Sequence, residues 1–430
     1  MSVNFGLSAA QQLLDVSFFD LVLLRNEFTS CIVNVRTSAG GNAYGGAASV
    51  YIGAYSSSLD GSTNTVEAGG TVVRNVSVSL RAAQFMSCGA IRSAAGAVDM
   101  IGGNAYGGSF SFYIGAYAWS GSMSGSPDSS SSITGETNVS SVSVVVSEAP
   151  CISCSAVTTT EDISFGANSY GGSLSALHIG AYSFSFSRIG GSSSTCLATS
   201  VSGVSVKVSN AACINCSSVV TSETASFQSS SYGGSISAVY IGAYSFSRSQ
   251  SQRSSSATES TSADGVSIIV NSSSCFNCTA ATNSRFDSFA ASSYGGSISA
   301  IRIGAYSFSA SSTNVIGSGS SSTIGALIVK NASVSVSDSF CFSCSAATTN
   351  RKNSLGASSY GGSISAVHIS SYAWSFSTQG GFTVTSSSSC DLTRVAGLVV
   401  SISRSSVDSS AAISGQPIIA FKFNSTHFSA

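Results

Sequence analysis

The 430-residue sequence predicts an all-β solenoid built from six repeats. One motif recurs six times, and its fourth copy reads Ser231-Tyr-Gly-Gly-Ser-Ile-Ser-Ala-Val-Tyr-Ile-Gly-Ala-Tyr-Ser-Phe-Ser247. The first tyrosines of the copies lie 62, 64, 62, 62 and 66 residues apart, a regularity typical of stacked repeat units. Apolar residues alternate with small polar ones, which favours strands over helices. Charged residues make up 8% of the chain but apolar ones 43%, so we expect an ordered body rather than a charged, disordered one.

Equivalent aromatic residues are expected to stack along the axis of such a solenoid, with each ring pair contributing ~0.5–1.5 kcal/mol beyond its buried area. Because paired strands lie ~4.8 Å apart and the repeat is long, we expect two or three coils in each repeat of about 62 residues. The predicted ladder consists of the first tyrosines and of the aromatic residues that follow them: Tyr44, Tyr106, Tyr170, Tyr232, Tyr294, Tyr360, Phe184, Phe246, Phe308 and Trp374.

The order of segments is the same in every repeat, and it suggests three parts of the chain. The tyrosine motif is followed by a variable Ser/Gly/Thr-rich segment, a β-branched strand such as Val204–Val208, a Cys-x-x-Cys turn and a polar connector. Residues 1–36 resemble the end of a repeat and are predicted to form a partial repeat or cap. Residues 37–405 hold the β-helix repeats, and residues 406–430 form a C-terminal cap or a truncated tail. A start in mid-repeat indicates a fragment of a longer chain.

The Tyr-Gly-Gly-Ser strand, preceded by a Val-Ser-Val segment and by Cys-x-Asn-Cys, resembles the repeats of right-handed parallel β-helix surface proteins. In particular, Gly45-Gly46-Ala47-Ala48 is similar to the Gly-Gly-Ala-Ile repeats of polymorphic outer-membrane-type proteins. The resemblance covers roughly residues 30–405. It implies a right-handed parallel β-helix on a cell surface. The Phe-x-x-Asn element of the bacterial family is not regular in this chain, and the family's C-terminal barrel has no counterpart in it.

Eight of the twelve cysteines form four Cys-x-x-Cys pairs, each beginning 19 residues before a motif tyrosine. A disulfide within each turn, a pair of buried thiols, and a zinc site all remain open. With two or three coils per repeat, neighbouring pairs would lie roughly 10–14 Å apart, which disfavours a shared zinc ion. A thioredoxin-type role is also disfavoured, because it requires a βαβ setting. The predicted disulfide cysteines are Cys151, Cys154, Cys213, Cys216, Cys275, Cys278, Cys341 and Cys344.

Asparagines in Asn-x-Ser/Thr triplets, together with the cysteine pairs, favour an extracellular or cell-surface location. The glycosylation candidates are Asn75, Asn138, Asn271 and Asn331. Asn215 and Asn277 lie inside Cys-x-x-Cys turns, where a glycan would conflict with a buried turn. The N-terminus shows no charged and then apolar leader, and no apolar run approaches the ~18 residues of a membrane span.

Candidates for chemistry are sparse. The 18 acidic residues are scattered, and Glu161-Asp162 is the one adjacent pair of carboxylates. His178 and His368 occupy equivalent positions in their repeats. In the two repeats between them this position holds Tyr240 and Arg302, and such variation suggests a solvent-facing position. We therefore expect no catalytic, metal or cofactor site. The net charge of −1 offers no basic surface for nucleic acid.

The favoured function is that of a non-enzymatic extracellular repeat protein with a structural or adhesive role, whose partners are carbohydrate or a cell-surface protein. Variable loops on a rigid scaffold would present the contact surface, and simple loop drift would explain their variation equally well. These segments cover residues 56–72, 120–137, 187–202, 247–264, 309–323 and 375–393. A polysaccharide lyase or hydrolase of β-helix fold is the alternative, and an ice-binding protein is a second one. The scattered carboxylates disfavour the first and the irregular threonines the second.

Overall fold

The computed structural model describes residues 2–9, 13–36, 43–60, 65–93, 100–101, 105–123, 131–160, 163–165, 168–188, 192–222, 225–227, 230–250, 254–284, 287–289, 292–313, 320–349, 353–355, 358–364, 366–379, 386–404, 406–408, 411–413 and 420–425. Over these ranges the protein is all-β, with strands in five sheets and no helix. The predicted all-β class is therefore confirmed. We name the sheets by their content: the tyrosine, valine and cysteine sheets and the first and second connector sheets.

The tyrosine sheet contains the repeated motif and has 11 described strands. They are Ser2–Ala9, Ala43–Asp60, Ala105–Met123, Ser169–Gly171, Leu174–Arg188, Ser230–Gly233, Ile236–Gln250, Ser292–Thr313, Ser358–Ile364, Ala366–Gln379 and Ala420–Ser425.

The valine sheet is the largest, with 14 described strands rich in β-branched residues. They are Leu14–Leu24, Thr65–Ala68, Thr71–Arg81, Ser131–Thr134, Thr137–Ser147, Ser193–Cys196, Thr199–Ser209, Ser254–Thr258, Thr261–Asp264, Ser267–Asn271, Ser320–Lys330, Ser333–Ser337, Ser386–Ala396 and Val399–Ser403.

Three narrower sheets complete each repeat. The cysteine sheet consists of Glu27–Thr29, Gln84–Met86, Cys151–Ile152, Ala212–Ile214, Ser274–Phe276, Phe340–Phe342 and Ser406–Asp408. The first connector sheet consists of Ile32–Arg36, Gly89–Ser93, Ser155–Thr160, Ser217–Ser222, Thr279–Ser284, Ser345–Thr349 and Ala411–Ile413. The second connector sheet consists of Met100–Ile101, Ile163–Phe165, Ala225–Phe227, Asp287–Phe289 and Asn353–Leu355.

All strand pairs in the described part are parallel, and each joins equivalent residues of neighbouring repeats. Tyr170 pairs with Tyr232, and Tyr232 pairs with Tyr294. The expectation of two or three coils per repeat is wrong, because no other strand lies between these equivalent residues. In the described residues, each of the five repeats that begin at Ala43, Ala105, Ser169, Ser230 and Ser292 visits the five sheets once, in the order tyrosine, valine, cysteine, first connector and second connector. The chain then returns to the tyrosine sheet. The repeat is long because its path has five sides, rather than because it contains several turns.

The core lies between these sheets and is filled by alternate residues of each strand. In the valine sheet, Val204, Val206 and Val208 are at most 1% exposed, while Ser205 and Lys207 point away from the core. In the tyrosine sheet, Val239 and Ile241 face the same core. Since equivalent positions pair directly, aliphatic side chains of one kind lie over one another from repeat to repeat.

Corners recur at three positions in each repeat, and each uses a residue with positive φ. The first corner divides the long valine strands, at Asn75, Ser141, Gly203, Gly265 and Asn331. The second corner precedes the cysteine sheet, at Ala82, Glu148, Asn210, Ser272 and Asp338. The third corner follows it, at Ser87, Ser153, Asn215, Asn277 and Ser343. The left-handed conformation explains the preference for Gly and Asn at the first corner.

The described parts of the variable segments are not purely exposed loops, whereas stretches such as 124–130 and 314–319 lie outside the described residues, so the expected contact surface stays a prediction. The described parts include strands of the valine sheet such as Ser193–Cys196 and Ser254–Thr258. Their serines point inward: the Ser132 and Ser185 hydroxyls lie 2.7 Å apart, and Ser256 and Ser309 repeat the contact at 2.7 Å. A buried column of paired hydroxyls therefore joins the tyrosine and valine sheets. Serine here is also a core residue, and its polar group is satisfied by its counterpart across the interior.

Candidate functional sites: an aromatic band and two cysteine columns

The tyrosine sheet carries an outward-facing strip of rings, which we call the aromatic band: Tyr182, Tyr244, Tyr306, Tyr372, Phe184, Phe246, Phe308 and Trp374. These residues line one open groove of about 360 Å³. Phe184 is 37% exposed, Tyr372 is 40% exposed and Trp374 is 64% exposed. The predicted phenylalanine ladder thus lies on the outside of the sheet, and Val239 and Ile241, in the same strand as Phe246, lie on the core side.

The rings of the band stack in two rows along the repeat direction. In the tyrosine row, ring centroids lie 4.9 Å apart for Tyr182–Tyr244 and again for Tyr244–Tyr306. In the phenylalanine row, the separations are 4.5 Å for Phe184–Phe246 and 4.8 Å for Phe246–Phe308. Trp374 ends that row edge-on, at 5.2 Å from Phe308. The spacing is that of paired strands, so the backbone sets the interval between rings.

Three tyrosines of the band, Tyr182, Tyr244 and Tyr306, each lie over the glycine two residues before them. A Cβ added at Gly180 would meet the Tyr182 ring, and one added at Gly304 would meet the Tyr306 ring. In the last copy Ser370 replaces the glycine, and its hydroxyl lies 3.0 Å from that of Tyr306. The glycine of the Ile-Gly-Ala-Tyr sequence therefore leaves space for the tyrosine ring to lie against the strand. Sequence reasoning recorded the tyrosines and missed the role of these glycines.

A separate row of stacked polar side chains lies beside the band and consists of Tyr113, His178, Tyr240 and Arg302. His178 lies 4.7 Å from the Tyr113 ring and 4.8 Å from the Tyr240 ring, and the Arg302 guanidinium lies 5.2 Å from the centre of Tyr240. Burial lowers the pKa of His178 to about 3. His178 is half-buried between these two rings, so the position expected to face solvent is only partly open there. The residue types at this position of successive repeats are flat or cationic, and such side chains can stack on one another. This pattern could have predicted the row from the sequence.

The first tyrosines of the motif form an inner row. Tyr170, Tyr232 and Tyr294 are at most 6% exposed, and neighbouring rings stack at 4.8 Å. The Tyr240 hydroxyl donates to that of Tyr232 at 3.0 Å, and Arg302 donates to the same oxygen at 3.5 Å. These oxygens raise the pKa of Arg302, while burial raises the pKa of Tyr240. The side chains of Tyr44, Tyr106 and Tyr360 lie outside the described residues.

The four Cys-x-x-Cys pairs lie at disulfide distance, with Cα–Cα separations of 5.9–6.2 Å. The third residue of each turn has positive φ, as at Asn215 and Asn277, and this bend brings the first and fourth side chains together. Cys31 and Cys88 are in register with the fourth residue of these turns. In those two repeats the first residue of the turn is a phenylalanine, and the rings of Phe28 and Phe85 stack on each other. The six sulfurs of this position form one column.

Neighbouring cysteine pairs are much closer than expected. The Sγ atoms of Cys151, Cys213 and Cys216 all lie within 4.8 Å of one another, and so do those of Cys275, Cys341 and Cys344. The expected separation of roughly 10–14 Å is wrong, because it assumed intervening coils. All six side chains are at most 1% exposed.

The glycosylation candidates differ in their surroundings. Asn75 is exposed at a positive-φ corner, and Asn331 at the same corner donates to Asp264 at 2.9 Å. Asn271 accepts from Ser337 at 2.9 Å, and the Oδ1 atom of Asn138 is buried. The corner geometry gives Asn75 and Asn331 a backbone role independent of any glycan.

Clusters of potential metal-ligating side chains in the described part of the chain consist of cysteines alone. The carboxylates found there in ion pairs are Asp15 with Arg74, Asp264 with Lys330, and Asp338 with Arg404, each bridging neighbouring repeats. Glu161-Asp162 and His427 lie outside the described residues. His178 and His368 stand in one row, three strand steps apart, as expected.

No helix in the described residues combines the length and apolar character that crossing a membrane requires. Comparison with protein-family models, with curated protein sequences and with solved structures finds no match to this chain. The candidate sites are therefore assigned from geometry and chemistry alone.

Proposed function

We propose that this protein is a non-enzymatic adhesin: a right-handed parallel β-helix, with one repeat per coil, that binds a neutral linear polysaccharide along its aromatic band. It would act outside the cell or on a cell surface. The β-helix is supported by the parallel pairing of equivalent residues and by the fixed order of the five sheets. The resemblance to polymorphic outer-membrane-type repeats agrees with this architecture.

The observation that carries the proposal is a contiguous strip of exposed and partly exposed aromatic rings at a regular interval. Large apolar side chains in one exposed strip are a marker of binding surfaces. Here the strip holds eight rings, and Trp374 at its end is 64% exposed. Nothing in the core requires these rings, because Val239 and Ile241 already fill the inner side of the same strands.

The chemistry of the band favours carbohydrate. Aromatic rings pack against the apolar C–H faces of sugars, and tyrosine adds a hydroxyl that can hydrogen-bond to theirs. Equally spaced rings suit a polymer of repeated units, since many weak contacts then act together. The groove is lined by aromatic residues and serines, without a charged side chain. A neutral polysaccharide therefore fits this groove better than a negatively charged polymer of uronic acids does.

An extracellular setting is supported by four cysteine pairs at disulfide distance. Disulfides persist in oxidising compartments and are rare in the cytosol.

The test is co-sedimentation of the purified chain with insoluble neutral polysaccharides such as cellulose, chitin and β-1,3-glucan. We expect one of them to retain the protein, and the double variant Phe308→Ala, Trp374→Ala to bind at least about tenfold more weakly, a loss of about 1.4 kcal/mol. Phe342→Ala is the matched control, because Phe342 is 43% exposed but lies on the cysteine sheet. Equal binding by the double variant and the control would contradict the proposal, as would the failure of all these polymers to bind.

A further inference from the structure

We propose that the eight paired cysteines form two buried tetrathiolate sites for a thiophilic divalent ion, such as Zn²⁺ or Cd²⁺, when their disulfides are reduced. Site one consists of Cys151, Cys154, Cys213 and Cys216. Site two consists of Cys275, Cys278, Cys341 and Cys344. This inference goes beyond the adhesive function and does not depend on it.

In two places, three sulfurs of neighbouring pairs lie close together. The Sγ atoms of Cys151, Cys213 and Cys216 lie within 4.8 Å of one another, and Cys154 is at disulfide distance from Cys151. Cys275, Cys341 and Cys344 repeat this arrangement, with Cys278 beside Cys275. Zinc–thiolate bonds of ~2.3 Å place the sulfurs of a tetrahedral site ~3.8 Å apart. Small rotations of four side chains would therefore close each site.

The turn supplies the ligand spacing that such sites use. Two Cys-x-x-Cys segments from separate strands provide four sulfurs in structural zinc sites. Here the positive-φ residue at the third position, Ser153 in one turn and Asn215 in the next, directs both cysteines of a turn to the same side. The strand register then brings Cys151 opposite Cys213.

The surroundings protect a bound ion but leave it a path inward. The sulfur-bearing side chains are at most 1% exposed, whereas Ile152, between the first two cysteines, is 41% exposed. Opening of the turn would admit the ion without unfolding the core.

The chemistry balances as follows. A dithiol reductant transfers two electrons to each disulfide, which gives two thiols and leaves the reductant as its cyclic disulfide. Four thiols then bind one divalent ion and release four protons, since the thiolate is the ligand. A small-molecule disulfide that takes two electrons from each cysteine pair, and leaves as two thiols, would restore the protein disulfide and expel the ion. The same eight residues therefore have an oxidised cross-linked form and a reduced metal-binding form.

The experiment titrates Cd²⁺ into the full chain, with and without prior reduction, and follows the thiolate-to-cadmium charge-transfer absorption. We expect two ions per reduced chain and none at these sites in the oxidised chain. The variant Cys213→Ser, Cys216→Ser should bind one ion. The control variant Cys31→Ser, Cys88→Ser, Cys196→Ser should still bind two, because these cysteines lie outside both sites.

Other stoichiometries contradict the inference. Four ions would mean that each turn binds alone, and two ions bound by the Cys213→Ser, Cys216→Ser variant would place the sites elsewhere. If that variant fails to fold, alkylation of the reduced wild-type chain decides the question. Zn²⁺ should lower the labelling of the eight paired cysteines by a small alkylating agent and leave the labelling of Cys31, Cys88 and Cys196 as it is without the ion. Unchanged labelling of the paired cysteines would overturn the proposal.

Discussion

The glycines beneath the aromatic band show how single residues shape its surface. Gly180 has no side chain because the Tyr182 ring occupies that space, and Gly234 has none because the carbonyl oxygen of Gly296 in the next repeat does. We expect Gly180→Ala to destabilise the chain by about 1–3 kcal/mol, the usual range for overpacking. The cost should fall in a Tyr182→Ala background, as measured by denaturant titration of the four variants in a double-mutant cycle.

Gly234→Ala provides the contrast to that cycle. Its Cβ would meet backbone, which truncation of a side chain cannot move, so Tyr182→Ala should leave its cost unchanged. A cost of Gly180→Ala that is equal in both backgrounds would show that the ring does not fill this space.

His178 makes stability depend on pH in one direction. Its pKa in the folded chain is about 3, below the ordinary value of 6.5. The unfolded chain therefore takes up the proton first, and stability is lost as the pH falls from 6.5 toward 3. His178→Tyr, the residue found at this position in the next repeat, should give a shallower loss over that window in thermal unfolding. Parallel pH profiles for the two proteins would contradict this expectation.

At the level of the strand, the two faces of the tyrosine sheet should respond differently to truncation. Phe112 is fully buried in the core, and Phe112→Ala should cost about 3–5 kcal/mol. Phe246 stacks on the outside between Phe184 and Phe308, so Phe246→Ala should cost less, about 1–3 kcal/mol for its two ring pairs. Denaturant titration of both variants tests the difference, and equal losses would place Phe246 in the core.

The strands themselves could largely be predicted from their alternation of apolar and polar residues. Val204, Val206 and Val208 were expected to form a strand, and they do. The inward orientation of Ser185 and Ser132 could not be predicted, because a serine looks the same in sequence whether it faces water or another hydroxyl. The stacking of His178 on Tyr240 was not predicted for a similar reason, since the position of a residue within its repeat does not by itself show whether its side chain is solvated or packed on its neighbours.

At the level of the whole molecule, removal of one complete repeat should preserve the fold. Deletion of residues 232–293 joins Ser231 to Tyr294, and Tyr170 then gains as its neighbour a residue equivalent to the one it lost. Each repeat contacts mainly its neighbours, so we expect a strand-rich circular dichroism spectrum and cooperative unfolding.

Deletion of residues 232–262, half a repeat, is the control. It would bring a tyrosine strand against a different sheet and should abolish cooperative unfolding. If the full-repeat deletion unfolds as readily as the half-repeat one, nearest-neighbour stacking is not what organises the chain.

The period of the sequence predicted stacked repeats, but it could not give the number of strand layers in one repeat. A spacing of 62 residues fits one wide circuit or several narrow ones equally well. The choice depends on where the chain turns, and the turns are made by Asn75, Ala82 and Ser87 and their equivalents, which carry few common sequence signals. The assumption of several coils in each repeat also gave too large a predicted distance between neighbouring cysteine pairs.

Direct alignment of copies also limits how this chain can grow by gene duplication. A lysine or aspartate copied into the next repeat would face its own duplicate one strand away, where like charges at about 4 Å repel by ~1–4 kcal/mol in water or near a protein surface. The ion pairs of the described chain instead join unlike partners across repeats, as in Lys330 with Asp264. Uncharged residues can be multiplied without this repulsion, which accounts for a body of near-identical units with only 8% charged residues.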